Sequence, residues 1–148
     1  MPIAEQISRD VMTAMKTKDE RLGTLRMMKT AMLKEEKDTG KPVDDATAVQ
    51  LLMKLGKQRR ESIDQFEKGG RADLADKERA ELQVIEEYLP KAPDEAQVRE
   101  AVKSAVAKTG ADSPKQMGVV MKEVMAAFAG LPVDGKLVSQ LVKESLGA

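Results

Sequence analysis

Ser113 to Leu146 reads SPKQMGVVMKEVMAAFAGLPVDGKLVSQLVKESL, and this stretch decides the fold. Ser113 is placed to cap a helix, with Pro114 at the first helical position, where a missing N–H costs nothing. Met117, Val120, Met121, Val124 and Phe128 follow at steps of three and four, which makes one apolar stripe on a helix. Gly130 suits a left-handed stop and Pro132 prevents continuation. Asp134 caps a second helix, opened by Gly135 and Lys136, with Leu137, Val138, Leu141 and Val142 on its inner side. Helices this short are marginal in water, so each needs a packing partner. Asp94 to Lys108 supplies one, through Val98, Ala101, Val102, Ala105 and Val106. A three-helix domain over 94–148 is the expectation.

Upstream the pattern stays helical. A first helix spans about Ile3 to Lys16, with Ile3, Ile7, Val11, Ala14 and Met15 inward. A bend at Thr17 to Glu20 leads to a second helix reaching about Asp38. Thr39-Gly40-Lys41-Pro42 breaks it, and Asp44 or Asp45 caps a third helix that ends at Gly69-Gly70. The fourth covers Ala72 to Tyr88. Strand-type alternation is absent. The class is therefore all-α: an N-terminal four-helix domain over 1–90, then the three-helix tail, divided at Leu89-Pro90-Lys91-Ala92-Pro93.

Composition removes several kinds of chemistry. Neither Cys nor His occurs, so thiolate nucleophiles, disulfides, imidazole acid–base work and the usual transition-metal ligands are all missing. No catalytic residue, metal site or cofactor motif emerges. The 25 basic and 25 acidic side chains cancel, so overall charge does not steer the chain towards nucleic acid. Aromatics are only 2%, which leaves Leu, Val, Met and Ala to build the core. MPIAEQISRD lacks the basic-then-apolar form of a secretion signal, and no apolar run nears the ~20 residues that span a bilayer. The expectation is a cytoplasmic protein without a membrane partner.

Two groups of charged residues stand out. Lys54, Lys57, Arg59 and Arg60 lie in the third helix with no acid among them, while the fourth helix is rich in Asp and Glu. The Gly69-Gly70 turn folds these helices antiparallel, and equal distance from Gly69 places Arg60 beside Glu78. A partly buried ion pair of Arg59 or Arg60 with Glu78 or Glu81, fixing the docking of the hairpin, is one expectation; solvated surface pairs and phosphate contacts are the others. In the tail, Lys115, Lys122, Lys136 and Lys143 are the candidate RNA-binding cations. Asp134-Gly135-Lys136 opens a helix where free amides and a Lys could hold a phosphate, or serves as an ordinary capped start. Tyr88 reads as a half-buried ring sealing the end of the fourth helix. Glu35-Glu36 and Glu86-Glu87 form no catalytic dyad, because adjacent helical residues point about 100° apart.

Four blocks carry a family resemblance: LGTLRMMKTAM from Leu22, KQRRESIDQFEKGGR from Lys57, ERAELQVIEEYLP from Glu78, and Met117 to Leu146. Together they resemble the YqeY proteins, freestanding relatives of the C-terminal region of the GatB subunit of tRNA-dependent amidotransferase, a glutamine-dependent carbon–nitrogen ligase. The resemblance implies a helical N-terminal domain and a three-helix tail that leans on tRNA. Met117, Gly118, Met121, Asp134, Gly135, Lys136, Val138, Leu141 and Val142 match the tail motif, whereas Val119 and Ser139 replace a Lys and an Asn common in the family. Neither the kinase-like part of GatB nor a glutaminase constellation is recognisable. The expected function is thus a tRNA-associated accessory module without activity of its own. Its partners would be tRNA and a component of an amidotransferase or aminoacyl-tRNA synthetase. A helical adaptor for a larger enzyme or ribonucleoprotein, and a subunit completing a site on another chain, are the alternatives.

Overall fold

A computed structural model describes residues 1–147. It is all-helical: seven α-helices and one short 3-10 turn, with no strand among the described residues. The chain forms two compact units, Met1–Leu89 and Pro90–Ala148.

The first unit holds α1 (Ile3–Thr17), α2 (Leu22–Thr39), α3 (Asp45–Lys68) and α4 (Ala72–Glu86). Ile7, Val11 and Ala14 of α1 meet Leu25, Met28 and Met32 of α2, with Leu52, Val84, Ile85 and Tyr88 completing the core. Burying side chains of this size contributes about 1.5–3 kcal/mol each, which pays for ordering the short helices. The Ile3 N–H donates to Asp45 Oδ1 at 2.9 Å and ties the start of α1 to the start of α3. Asp44 caps α3 by accepting from the Thr47 N–H at 2.8 Å. Met15, expected inward, is 52% exposed. It lies about 100° past Ala14, and Ile7, Val11 and Ala14 already fill the buried stripe. Beyond Gly56, α3 and α4 rely on each other. Ile63, Phe66 and Leu74 are only half-buried, because the main core ends before the hairpin does.

The second unit holds α5 (Glu95–Thr109), a 3-10 turn (Pro114–Gln116), α6 (Met117–Ala127) and α7 (Gly135–Ser145). Asp94 and Gln97 form a reciprocal capping box on α5, with bonds of 2.7 and 2.9 Å. Gly110, at φ 69°, stops α5 in the left-handed region, which glycine enters without steric cost. Val98, Val102, Val120, Val124, Val138 and Val142 interlock as the core. Ser113 does not cap with its hydroxyl. Its carbonyl accepts from the Gln116 N–H at 3.0 Å, and Gln116 Oε1 accepts from the Asp112 N–H at 2.8 Å. The side-chain cap is thus replaced by a tight 3-10 turn.

Candidate functional site

Helix α7 carries a face on which polar groups line a concavity. Asp134 Oδ1 accepts from the Lys136 N–H at 2.9 Å and starts the helix. Val138, Leu141 and Val142 are buried, which fixes its rotation. At about 100° per residue, Lys136, Gln140 and Lys143 then project to the opposite side with Ser139 at the margin. With Gly135 and Glu144 they line a shallow concavity of about 490 Å³. Lys136 and Lys143 stand seven residues apart, a rise of about 10 Å.

The charges of this face follow from pairing. Glu144 sits at the rim, but its carboxylate accepts from Arg99 at 3.3 Å, and Arg99 also binds Glu95 at 2.9 Å. These carboxylates, Glu95 first, hold the Arg99 guanidinium above its ordinary pKa. Lys136 and Lys143 are exposed and join no ion pair among the described residues. Two free ammonium groups beside an amide and a hydroxyl can hold an anion. Lys115, on the 3-10 turn, and Lys122, on the outer side of α6, are also exposed, but neither lines the concavity.

In the first unit the structure brings Arg59, Glu78 and Glu81 together. Arg59 Nε lies 3.2 Å from Glu81 Oε2 and 3.7 Å from Glu78 Oε2. The Arg59 side chain is 16% exposed and also donates to the Met27 sulfur, so it links α2, α3 and α4. Arg60 is not beside Glu78. It binds Glu86 at 3.1 Å in an exposed pair. Side chains on a helix lean towards its N-terminus, and in an antiparallel hairpin that displaces Arg60 along α4 from Glu78 towards Glu86. A β-carbon at Gly56, one turn earlier, would lie 3.7 Å from Arg60 Nη1, an ordinary contact.

Sequence spacing missed two residues that matter here, Arg21 and Gln140, and the partner of Tyr88. Tyr88 is buried, and its hydroxyl donates to Asp10, 78 positions away. Arg21 binds Glu87 at 2.8 Å and holds the end of α4 against the α1–α2 turn. Gln140 lines the α7 concavity. A polar face on a strongly amphipathic helix was the only available signal for Gln140; nothing local marks Arg21 or the Tyr88–Asp10 contact. Among the described residues no group of three or more Asp or Glu is placed to hold a metal, and no helix is long and apolar enough to cross a membrane.

Comparison with known proteins gives the family. The family model described as "Yqey-like protein" matches residues 4–146, and the chain belongs to the YqeY family. It is similar to proteins named "Altered inheritance of mitochondria protein 41, mitochondrial". The one from Pyrenophora tritici-repentis is 32% identical over 99% of this chain and 82% of the relative. The one from Lachancea thermotolerans is 29% identical over 95% and 76%. A Saccharomyces cerevisiae relative is 32% identical over 93% and 77%. These names overturn the expectation of a cytoplasmic protein. That expectation rested on a missing secretion signal and a missing bilayer span, and neither feature distinguishes cytoplasm from mitochondrion.

Proposed function

We propose, starting from membership of the YqeY family, that this chain is a tRNA-associated accessory module. In this reading the four-helix domain (1–90) is the body, and the three-helix domain (94–148) presents the α7 face to RNA phosphates. Kinship with the tail of the amidotransferase subunit supplies the ligand class. The observation that carries the reading is the pair Lys136 and Lys143, on one side of α7, neither in an ion pair among the described residues, while Arg99 engages Glu144 at the rim. Lys115 and Lys122 lie outside the concavity and add positive charge to the same unit. The module has no activity of its own here; it serves a component of an amidotransferase or an aminoacyl-tRNA synthetase.

The test is a salt titration of binding to bulk tRNA. Log affinity falls linearly with log salt, and each phosphate contact removed flattens the slope by about 0.7–0.9. Lys136→Gln with Lys143→Gln flattens it by about two such steps. Unchanged slope and affinity in the double variant, or no binding by the parent chain at low salt, rejects the reading.

A further inference from the structure

The outer side of α6 is apolar and has nothing over it within its own unit. Val120 and Val124 are fully buried and set the rotation of the helix. The opposite side carries Gly118, Val119, Lys122, Met125 and Ala126, all exposed. Val119 is 56% exposed and Met125 40%. A helix apolar nearly all the way round belongs in an interior. The two charged residues of α6 are Lys122 and Glu123, and Glu123 is held by Lys108 at 3.1 Å. Lys122 joins no ion pair among the described residues and stands in the middle of the apolar strip.

We propose that this face seats an amphipathic helix of a partner protein, with a carboxylate of that helix meeting Lys122. Three features select this occupant. Gly118 and Ala126 lie one turn to either side of Lys122, and a β-carbon at Gly118 would meet nothing within 4 Å. Small residues so placed let a second helix approach to the short end of the usual ~8–10 Å interaxial range. Val119 and Met125 flank this row and supply the apolar area, Met125 with an adaptable side chain. The lone cation then sets what the partner must carry. A second copy seated on the strip about a two-fold axis at its middle would bring Lys122 against its own counterpart inside an apolar contact, a like-charge juxtaposition that disfavours association. A nucleic-acid strand would gain one phosphate contact while covering Val119 and Met125 to no advantage, and α6 has no aromatic ring on which a base could stack.

The experiment places a photo-crosslinking amino acid at Val119 of the full chain, in the cells that make it, and reads the product by mass spectrometry. The expected product is one protein, joined at a segment with apolar residues at steps of three and four and an Asp or Glu among them. Lys122→Glu lowers the yield about tenfold or more, and changing that partner acid to Lys restores it. Lys122 is exposed, so the variant keeps the helical content and melting temperature of the parent, which are measured alongside. Crosslinks to a second copy, to RNA or to lipid overturn the proposal. So does a yield no higher than that of the same probe at exposed Lys103 of α5, or a yield indifferent to Lys122→Glu. Lys136→Gln with Lys143→Gln leaves the crosslink intact, so loss of RNA binding and loss of this docking are read separately.

Discussion

Replacing Arg59 by Ala removes a cation that joins α2, α3 and α4. Its side chain is 16% exposed, and Glu78 and Glu81 beside it are 21% and 25% exposed. Breaking a fully buried pair costs about 3–5 kcal/mol, and an exposed pair is worth about 0–1 kcal/mol. This site lies between those limits, with two carboxylates left facing each other, so the expected loss is about 2 kcal/mol. For a unit of this size that lowers the melting temperature by roughly 8–16 °C. The assay is favourable because Tyr88 is the only tyrosine, there is no Trp, and Tyr88 sits in the core of the first unit. Its fluorescence therefore reports the unfolding of that unit alone. Arg60→Ala is the internal control: both members of the Arg60–Glu86 pair are at least half exposed, and its loss costs about 0.5 kcal/mol or less. Adding Glu78→Gln and Glu81→Gln to the Arg59 variant recovers part of the loss by removing the stranded charges. Equal shifts for Arg59→Ala and Arg60→Ala refute the reasoning.

Tyr88→Phe deletes a hydrogen bond to a carboxylate and destabilises the first unit by about 1–2 kcal/mol in urea titrations. Burial first, then the bond to Asp10 and its charge, push the Tyr88 hydroxyl well above the ordinary tyrosine range. A folded pKa raised in this way contributes stability that is present below the unfolded value of about 10 and is lost as pH rises past it. Phenolate absorbance in alkali therefore appears together with unfolding, and a phenolate signal from still-folded protein contradicts this. The Asp44 carboxyl is held below its ordinary range by the Thr47 N–H, so its contribution is present above about pH 4 and is lost on acidification; Asp44→Ala flattens the acid limb of a stability-versus-pH curve. Gly56→Ala places a methyl 3.5 Å from Leu82 Cδ1, an ordinary contact, and stabilises α3 by about 0.5–1 kcal/mol, whereas Gly56→Leu forces α3 and α4 apart and costs about 1–3 kcal/mol by thermal melts.

The helices were legible because their signals are local. Apolar steps of three and four, acids at caps and Gly or Pro at breaks all lie within a turn or two of the residue they govern. Asp44, Asp94 and Asp134 each accept from the amide their position implies. Ser113 broke the rule because the Gln116 N–H that its hydroxyl would cap is taken by its own carbonyl in the 3-10 turn. Counting outward from the Gly69 turn gave the correct pair of facing helices but the wrong partner for Arg60. Such a count follows Cα positions, while a long side chain delivers its charge about a turn away. Tyr88, just past the end of α4, and Asp10 of α1 meet only because α1 and α4 both pack against α2, and no spacing records that.

Charge was the least legible quantity, and the candidate site depends on it. A chain with 25 cations and 25 anions reads as having no electrostatic preference. Folding changes this by choosing which charges cancel. In the second unit Glu144 and Glu95 share Arg99, Glu123 goes to Lys108, and Asp134 and Asp94 turn to backbone amides. The acids nearest to Lys136, Lys143 and Lys122 are thereby engaged elsewhere. Each of these lysines is left as the local charge of its own helix face, polar on α7 and apolar on α6. A neutral sequence thus folds into a unit with two unlike cationic faces. On the two proposals, the same ammonium group would select a phosphate where hydrogen-bonding groups surround it and a single carboxylate where valine and methionine do.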